Sequence, residues 1–187
     1  MAHVMPASMK FAYADPPYLG LAKFYKGQHP DWQAYDTLDA HARLIARLVN
    51  EYPDGWAMSL HTPSLRLILP MCPIDTRVMA WTKPFASFKP GVGLAYAWEP
   101  VLLHGGRKRT RADDTTRDWC AVNITLRKGF IGAKPPGMVH WLLDALHALP
   151  GDTVDDIFPG SGGVSDVIAG RLYGTMPTPG LFDVVAA

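Results

Sequence analysis

The apolar residues of this chain fall into short runs that predict strands. Five such runs, each bounded by turn residues, cover residues 9–14, 56–61, 77–82, 96–103 and 153–158. The first run ends at two prolines, which have no N–H to donate to a ladder, and the last ends at a glycine-rich turn. We therefore expect these two strands to end abruptly, each in a turn of defined shape.

Between the strands lie stretches whose apolar residues recur at helical spacing. They cover residues 36–52, 62–69, 136–149 and 163–172. Asp36 is the expected N-cap of the first helix, and Pro135 and Pro136 mark the start of the third. Residues 19–35 and 84–93 show little periodicity and predict loops. The alternation of strands and helices predicts an α/β fold with a mainly parallel sheet.

The composition is that of a globular protein. The chain has 187 residues, of which 48% are apolar and 19% are charged, and no apolar run approaches the ~20 residues of a membrane helix. We expect residues 1–187 to form a single domain. Cys72 and Cys120 are far apart and no His pair has ligand spacing, which predicts neither a disulfide nor a metal site. Since no secretory signal is visible, the expected location is the reducing cytoplasm, of a prokaryotic or phage-infected cell.

One segment of the chain is strongly basic. Eight basic and three acidic residues lie between His104 and Lys134, a local net charge of +5 in a chain whose formal net charge is +1. We expect residues 104–133 to form a basic loop. Such a loop suits anions such as nucleic-acid phosphates, although a merely solvated loop is the alternative. The candidate phosphate-binding residues are Arg107, Lys108, Arg109 and Arg111.

The turn after the last predicted strand has the features of a small-ligand site. Its candidate binding residues are Asp156, Phe158, Pro159, Gly160, Ser161 and Gly162. The glycines allow a tight turn and a close approach of ligand to backbone, and free N–H groups at a helix start favour a carboxylate or phosphate. Phe158 offers a stacking face and Asp156 an acceptor for an amine or hydroxyl. This set suits a zwitterion with an aromatic base, such as S-adenosylmethionine; a simple tight connection is the alternative.

The turn after the first predicted strand, Asp15-Pro16-Pro17-Tyr18, suits an exocyclic amine. The lone pair of such an amine is conjugated into its ring, so the nitrogen attacks a methyl group only after acceptors draw it toward tetrahedral geometry. The Asp15 carboxylate and the Pro16 carbonyl are candidate acceptors, and the prolines fix them in place. Tyr18 is a candidate for stacking on the base. An ordinary strand-ending turn is the alternative.

Together, these two turns resemble motifs of the amino-methyltransferases that act on adenine N6 or cytosine N4 in DNA. The catalytic motif comes first and the cofactor motif last, which is similar to the circularly permuted β class of that family. Lys134-Pro135, before the helix that precedes the cofactor strand, resembles a further motif that holds the methionine part of the cofactor. The resemblance covers most of the chain.

The resemblance implies a Rossmann-like methyltransferase fold that binds S-adenosylmethionine without a metal and acts on DNA. Asp15, Pro16, Pro17 and Tyr18 would then position the target base, and Lys134 and Pro135 would join the glycine turn in holding the cofactor. The family sheet has seven strands with one reversed strand near an edge, and residues 96–103 are expected to belong to that antiparallel pair. Asp rather than Ser at position 15 favours adenine N6 as the target.

Two departures from the family pattern carry expectations of their own. The segment 104–133 replaces a large target-recognition insert, which predicts weak, short or relaxed sequence specificity. Only 24 residues follow Gly163, so the sheet is expected to be shortened at one edge, and the acid that binds the cofactor ribose has no clear match. Alternative functions are methylation of cytosine N4 or of RNA, or a catalytically silent nucleic-acid-binding partner subunit. A homodimer is a further expectation.

Overall fold

The computed structural model describes residues 6–26, 32–85, 91–125 and 132–174, and these residues form a six-stranded sheet flanked by helices. The strands are β1 (Lys10–Ala14), β2 (Gly55–Ser59), β3 (Arg77–Thr82), β4 (Trp98–Gly105), β5 (Trp119–Ala121) and β6 (Thr153–Asp156). The α-helices of the described ranges are α1 (Leu38–Glu51), α2 (Leu65–Ile68), α3 (Pro136–Leu146) and α4 (Gly163–Tyr173). Short 3₁₀ helices span Ala22–Tyr25, Ala34–Asp36, Thr62–Ser64 and Leu69–Met71.

The strand order in the sheet is β5-β3-β4-β2-β1-β6. Strand β4 runs antiparallel to both of its neighbours, β2 and β3, while all other pairs are parallel. Five of the six described strands therefore share one direction, which confirms the predicted α/β fold with a mainly parallel sheet. The expected reversed strand is β4, and both β3 and β5 lie between it and the edge.

The described residues form six strands where the family resemblance implied seven. Strand β6 stands at one edge of this sheet, paired with β1. Several positions of the sequence analysis lie outside the described residues: 27–31 and 86–90 of the predicted loops, Arg127 and Lys128 of the basic segment, and residues 175–187.

Side-chain alternation divides the core into two layers. In β1, Phe11 and Tyr13 pack toward α3 and α4, whereas Ala12 and Ala14 pack toward α1 and α2. Both sheet faces are thus covered by helices, as a parallel sheet requires. The carboxyl ends of β1, β2, β3 and β6 meet at one edge of the sheet, which we call the upper edge.

Two predictions about local structure are wrong. The N-cap of α1 is Thr37, whose hydroxyl accepts from the Ala40 N–H, while the Asp36 carboxylate instead accepts from the Gly20 N–H at 2.7 Å. The segment 104–133 is not an uninterrupted loop, because its residues 119–121 form β5 and pair in parallel with β3. Trp119 and Cys120 complete the ladder beside Ala80 and Trp81, a long-range pairing that local sequence does not reveal.

The four candidate phosphate-binding residues, which we call the basic run, begin at the edge of the sheet opposite the upper edge. We call this the lower edge; it lies away from the Asp15 turn. Because β4 is reversed, Gly105 at its carboxyl end lies beside Gly55 at the start of β2. The eight residues of β4 span roughly 25 Å at strand geometry. The four candidate phosphate-binding residues therefore follow β4 at the edge opposite to Asp15.

Two of these four basic side chains hold the fold together. The Arg107 guanidinium donates to Asp152 Oδ1 at 2.6 Å and to the Ala7 carbonyl at 3.1 Å. Arg109 donates to the Asp144 carbonyl in the last turns of α3 and to other groups of its own loop. Lys108, Arg109 and Arg111 are exposed. Arg107 and Arg109 thus have structural partners, but those of Arg109 are neutral groups, so the charge of Arg109 stays accessible beside those of Lys108 and Arg111.

We expect Arg107→Ala to destabilise the fold while Lys108→Ala does not. Asp152 is 1% exposed and also accepts from the Met9 and Leu149 N–H groups, so loss of Arg107 leaves a buried carboxylate without its cation. Breaking a buried pair costs about 3–5 kcal/mol, whereas exposed substitutions stay within about 0.5 kcal/mol. Urea unfolding of the two variants and the wild type measures the difference; equal losses from both variants would contradict it.

Candidate functional site

The Asp15 turn and the glycine turn lie side by side at the upper edge. Strands β1 and β6 are parallel neighbours, with Tyr13 opposite Asp156, so the residues that follow the two strands leave the sheet together. In open α/β sheets, ligands bind in the crevice beyond the carboxyl ends of the strands. The structure therefore brings the two predicted motifs to one place.

The Asp15 turn is buried and held by polar contacts. Pro16 and Pro17 are buried, and Tyr18 is 6% exposed. The Tyr18 hydroxyl lies 3.1 Å from Asp15 Oδ1, and Lys134 Nζ lies 2.8 Å from Asp15 Oδ2. No hydrogen bond among the described residues ends on the Pro16 carbonyl. The carboxylate is thus fixed in place with lone pairs to spare, and an acceptor carbonyl stands next to it.

Two further charged residues join Asp15 and Lys134. Glu99 Oε2 lies 3.6 Å from Lys134 Nζ and accepts from the Tyr18 hydroxyl at 2.9 Å. Lys83 forms an ion pair with the other Glu99 oxygen, Oε1. We call Asp15, Tyr18, Lys83, Glu99 and Lys134 the ion cluster. It pairs two carboxylates with two ammonium groups, and the side chain of Lys134 is only 3% exposed.

Strand alternation explains why these residues meet. Trp81 and Val101 point toward α3 and α4, so Lys83 and Glu99, two positions away in each case, continue on that face. Tyr13 points to the same face, and Asp15 follows it at the same spacing. Because β4 is reversed, Glu99 lies near its amino end and still reaches the upper edge, opposite Trp81. Lys134 arrives from the segment before α3.

The two carboxylates of the ion cluster differ in their electrostatic surroundings. Burial raises the pKa of Asp15 above its ordinary 3.8, and the opposing effect of Lys134 does not cancel this. Burial would also raise the pKa of Glu99, but Lys134 and Lys83 together outweigh it and hold that pKa below 4.5. Burial likewise works against the charge of Lys134, yet Asp15 and Glu99 keep its pKa well above 10.5. Glu99 is therefore the better stabilised anion.

The glycine turn leaves room and polar groups for a ligand. Gly162 caps α4 at φ +80°, and a Cβ there would meet nothing within 4 Å. The Ser165 hydroxyl donates to Asp156 Oδ2 at 2.7 Å, and backbone N–H groups of Phe158 and Ser165 also favour the charged form of this carboxylate. Burial raises the pKa of Asp156 above 3.8. A cleft of about 470 Å³ opens beside it, lined also by Tyr52, Asp155 and Ile168.

Three of the predicted cofactor residues, Phe158, Lys134 and Pro135, have roles in packing, ion pairing or helix capping within the fold. The Phe158 ring is 9% exposed and packs in the α1 layer, edge-on to Tyr35 at 5.1 Å. Lys134 contacts the Asp15 turn, as described above, and Pro135 is the N-cap of α3. Among the others, the Pro159 carbonyl accepts from the Gly162 N–H at 2.7 Å, and Gly160 and Ser161 complete the turn. Their binding roles remain predictions.

Sequence reasoning missed Lys83, Glu99 and Ser165. A signal was present for Glu99, because a lone carboxylate in an apolar strand is rarely buried without a partner. Lys83 directly follows a predicted strand, which also places a charge at a strand end. What the sequence lacked was the direction of β4, and without it neither residue can be assigned to the upper edge.

Comparisons with known proteins identify the fold. No family model matches the chain, and no curated protein matches it. Among solved structures, the M1.HpyAVI complex with SAM is 16% identical, with a TM-score of 0.57 over 89% of this chain and 79% of that chain. TTHA0409 of Thermus thermophilus, named as a candidate DNA modification methylase, is 15% identical, with a TM-score of 0.50 over 91% of each chain. This chain has the fold of those two proteins.

Two further findings concern the described residues alone. They contain no group of three or more His, Cys, Asp or Glu side chains that could hold a metal ion. No helix in the described ranges is long and apolar enough to cross a membrane.

We expect Glu99→Gln to lower the stability of the fold at neutral pH by about 1.5–3 kcal/mol, the value of a hydrogen-bonded charged group. The folded-state pKa of Glu99 lies below 4.5, so ionised Glu99 stabilises the fold above that pH, and the contribution is lost as the pH falls through the folded-state pKa. Urea unfolding from pH 7 to pH 3.5 should show the gap between wild type and variant closing. A gap that stays constant would contradict this. Glu51→Gln, in a half-exposed pair with Arg47, is the control and should cost less than about 1 kcal/mol.

Proposed function

We propose that this protein is an S-adenosylmethionine-dependent methyltransferase that transfers a methyl group to an exocyclic amine of a base in DNA, with adenine N6 as the preferred target. The observation that carries the proposal is the adjacency of the Asp15 turn and the glycine turn beyond two parallel neighbouring strands. One turn has acceptors for an amine, and the other follows Asp156, which lines a cleft of small-molecule size. The fold shared with DNA methyltransferase structures supports the same conclusion.

The Asp15 turn has the groups that methylation of an amine requires. The Asp15 carboxylate and the Pro16 carbonyl each accept one N–H of the target amine, which frees the nitrogen lone pair from conjugation with the ring. Lys134 fixes the carboxylate, with the Tyr18 hydroxyl close beside it, so that no reorganisation is needed when the bond forms. As the N–C bond forms, the bond between the methyl carbon and the sulfonium sulfur would break and leave a neutral thioether. Asp15 then stabilises the cationic nitrogen until its proton passes to solvent.

The glycine turn fits S-adenosylmethionine. When bound, this cofactor supplies an electrophilic methyl group on a sulfonium sulfur. The Asp156 carboxylate is a candidate acceptor for an ammonium or hydroxyl group, and the start of α4, where no side chain caps the N–H groups, suits a carboxylate. The cleft beside Asp156 has the volume of a small-molecule site. M1.HpyAVI, which shares the fold, was crystallised with SAM.

Lys134 connects the two halves of the proposed site. Pro135 is the N-cap of α3 and places Lys134 directly before it, so the ammonium group reaches Asp15 from the face of the sheet that α3 covers. Its proposed role is to position the catalytic carboxylate, beside any contact with the methionine end of the cofactor. Phosphate binding by Lys108 and Arg111 is a separate proposal, because a duplex would have to span roughly 25 Å to reach them from Asp15.

The experiment that tests the proposal is labelled-methyl transfer to DNA and to RNA, followed by nucleoside analysis. We expect N6-methyladenine from DNA with wild-type protein and a loss of about 100-fold or more with Asp15→Asn, which keeps the shape but weakens the acceptor. Cofactor binding by calorimetry should be retained in that variant. Asp75→Asn, at a side chain 71% exposed near the start of β3, is the control and should keep full activity. Equal activity in Asp15→Asn and wild type would refute the role of Asp15, and a product on cytosine or RNA would refute the target.

A further inference from the structure

Three aromatic rings lead from the Asp15 turn to the protein surface. The Tyr18 and His61 rings are 6.3 Å apart, centroid to centroid, with their planes inclined by only 8°. The Tyr96 ring meets His61 edge-on at 5.3 Å. Tyr18 is 6% exposed and Tyr96 is 60% exposed. The row therefore begins at the buried ion cluster and ends in solvent.

The ring at the outer end of the row, Tyr96, belongs to a segment whose apolar side chains are exposed and not packed in the core. Tyr96 lies just before β4, where the chain between β3 and β4 leaves the sheet at the upper edge. Val92 is 50% exposed and Leu94 is 88% exposed in the same segment. Apolar side chains grouped at a solvent-facing site contribute little to folding and mark a contact surface. This surface adjoins the proposed reaction site.

The middle ring has the properties of a stacking surface. Burial lowers the pKa of His61 below its ordinary 6.5, so the imidazole is uncharged at neutral pH. Its Nδ1 is shielded from solvent and has no hydrogen-bond partner among the described residues. His61 therefore presents a flat, uncharged ring, held between the ring of Tyr18 and the edge of Tyr96.

We propose that His61 and Tyr96 form a stacking platform that receives an unpaired base of a DNA strand and leads it along the ring row to Asp15. The proposal rests on the function proposed above and adds a substrate preference to it. Every base has a π-face, so stacking binds bases without reading their sequence. A base paired within a duplex has its faces already covered by its neighbours. The protein therefore prefers DNA in which the target base is already unpaired.

The test is DNA binding measured by fluorescence anisotropy. The probes are a labelled single strand, a labelled duplex with one mismatched adenine, and the same duplex fully paired. We expect wild-type protein to bind the first two more tightly than the third. Tyr96→Ser should weaken binding to the first two by about fivefold to 150-fold, the range of one base–aromatic stack, while Tyr96→Phe should stay within about twofold of wild type. Trp119→Ser, at a ring 45% exposed in β5, is the matched control and should leave binding unchanged.

The outcomes separate this inference from the proposed function. If wild-type protein binds DNA but Tyr96→Ser binds equally well, the platform is refuted and the methyltransferase proposal is unaffected. If wild-type protein binds the paired duplex as tightly as the mismatched one, the preference for an unpaired base is refuted. If wild-type protein binds none of the probes, both proposals fail. Calorimetry with S-adenosylmethionine on each variant shows whether a loss of binding is confined to DNA.

Discussion

Lys134 holds two buried carboxylates at one point of the fold, and the proposed site depends on it. Its ammonium nitrogen lies 2.8 Å from Asp15 and 3.6 Å from Glu99, with the lysine side chain 3% exposed. Without this cation, two anions would face each other out of water, which proteins rarely tolerate. Asp15 follows β1, Glu99 is the second residue of the reversed strand β4, and Lys134 precedes α3. The ion cluster therefore holds three distant parts of the chain together at the upper edge. The orientation of the Asp15 carboxylate depends on all three being in place.

The sequence predicted the parts of this site that are contiguous and missed those that depend on strand direction. Asp15-Pro16-Pro17-Tyr18 and the glycine turn were recognisable because each motif is a single turn with special backbone residues at fixed positions. Their adjacency follows only from the pairing of β1 with β6, which are about 140 residues apart in sequence. The place of Glu99 in the site could not be predicted from the sequence for a related reason. Its position at the upper edge requires β4 to be antiparallel, and a strand's direction is set by the tertiary fold, not by its own residues.

The same reversal changes the meaning of the basic segment. Counted along the sequence, Arg107, Lys108, Arg109 and Arg111 form one positive run, and a single binding surface is the natural interpretation. In the structure the run starts at the lower edge, and its first and third members neutralise or hydrogen-bond groups of the fold, namely Asp152 and the carboxyl-terminal turns of α3. Charge counts describe a segment correctly but say nothing about which charges are already paired. Arg107 is paired with Asp152, whereas Lys108, Arg109 and Arg111 are exposed and contribute to the field that a partner meets.

The two carboxylates of the ion cluster have unequal partners, and this difference bears on the proposed site. Glu99 shares two lysines and is the well-stabilised anion, whereas Asp15 has one lysine and a pKa raised by burial. A carboxylate that is short of stabilisation gains more from each further hydrogen bond than one already satisfied, and an incoming amine has two N–H groups to offer. Glu99 then holds Lys134 by ion pairing and Tyr18 by a hydrogen bond, and Asp15 is the carboxylate that a further hydrogen bond stabilises more. In the proposed site, Glu99 is therefore the acid with two lysine partners and Asp15 the acid with one, which leaves Asp15 as the acceptor that gains more from an incoming amine.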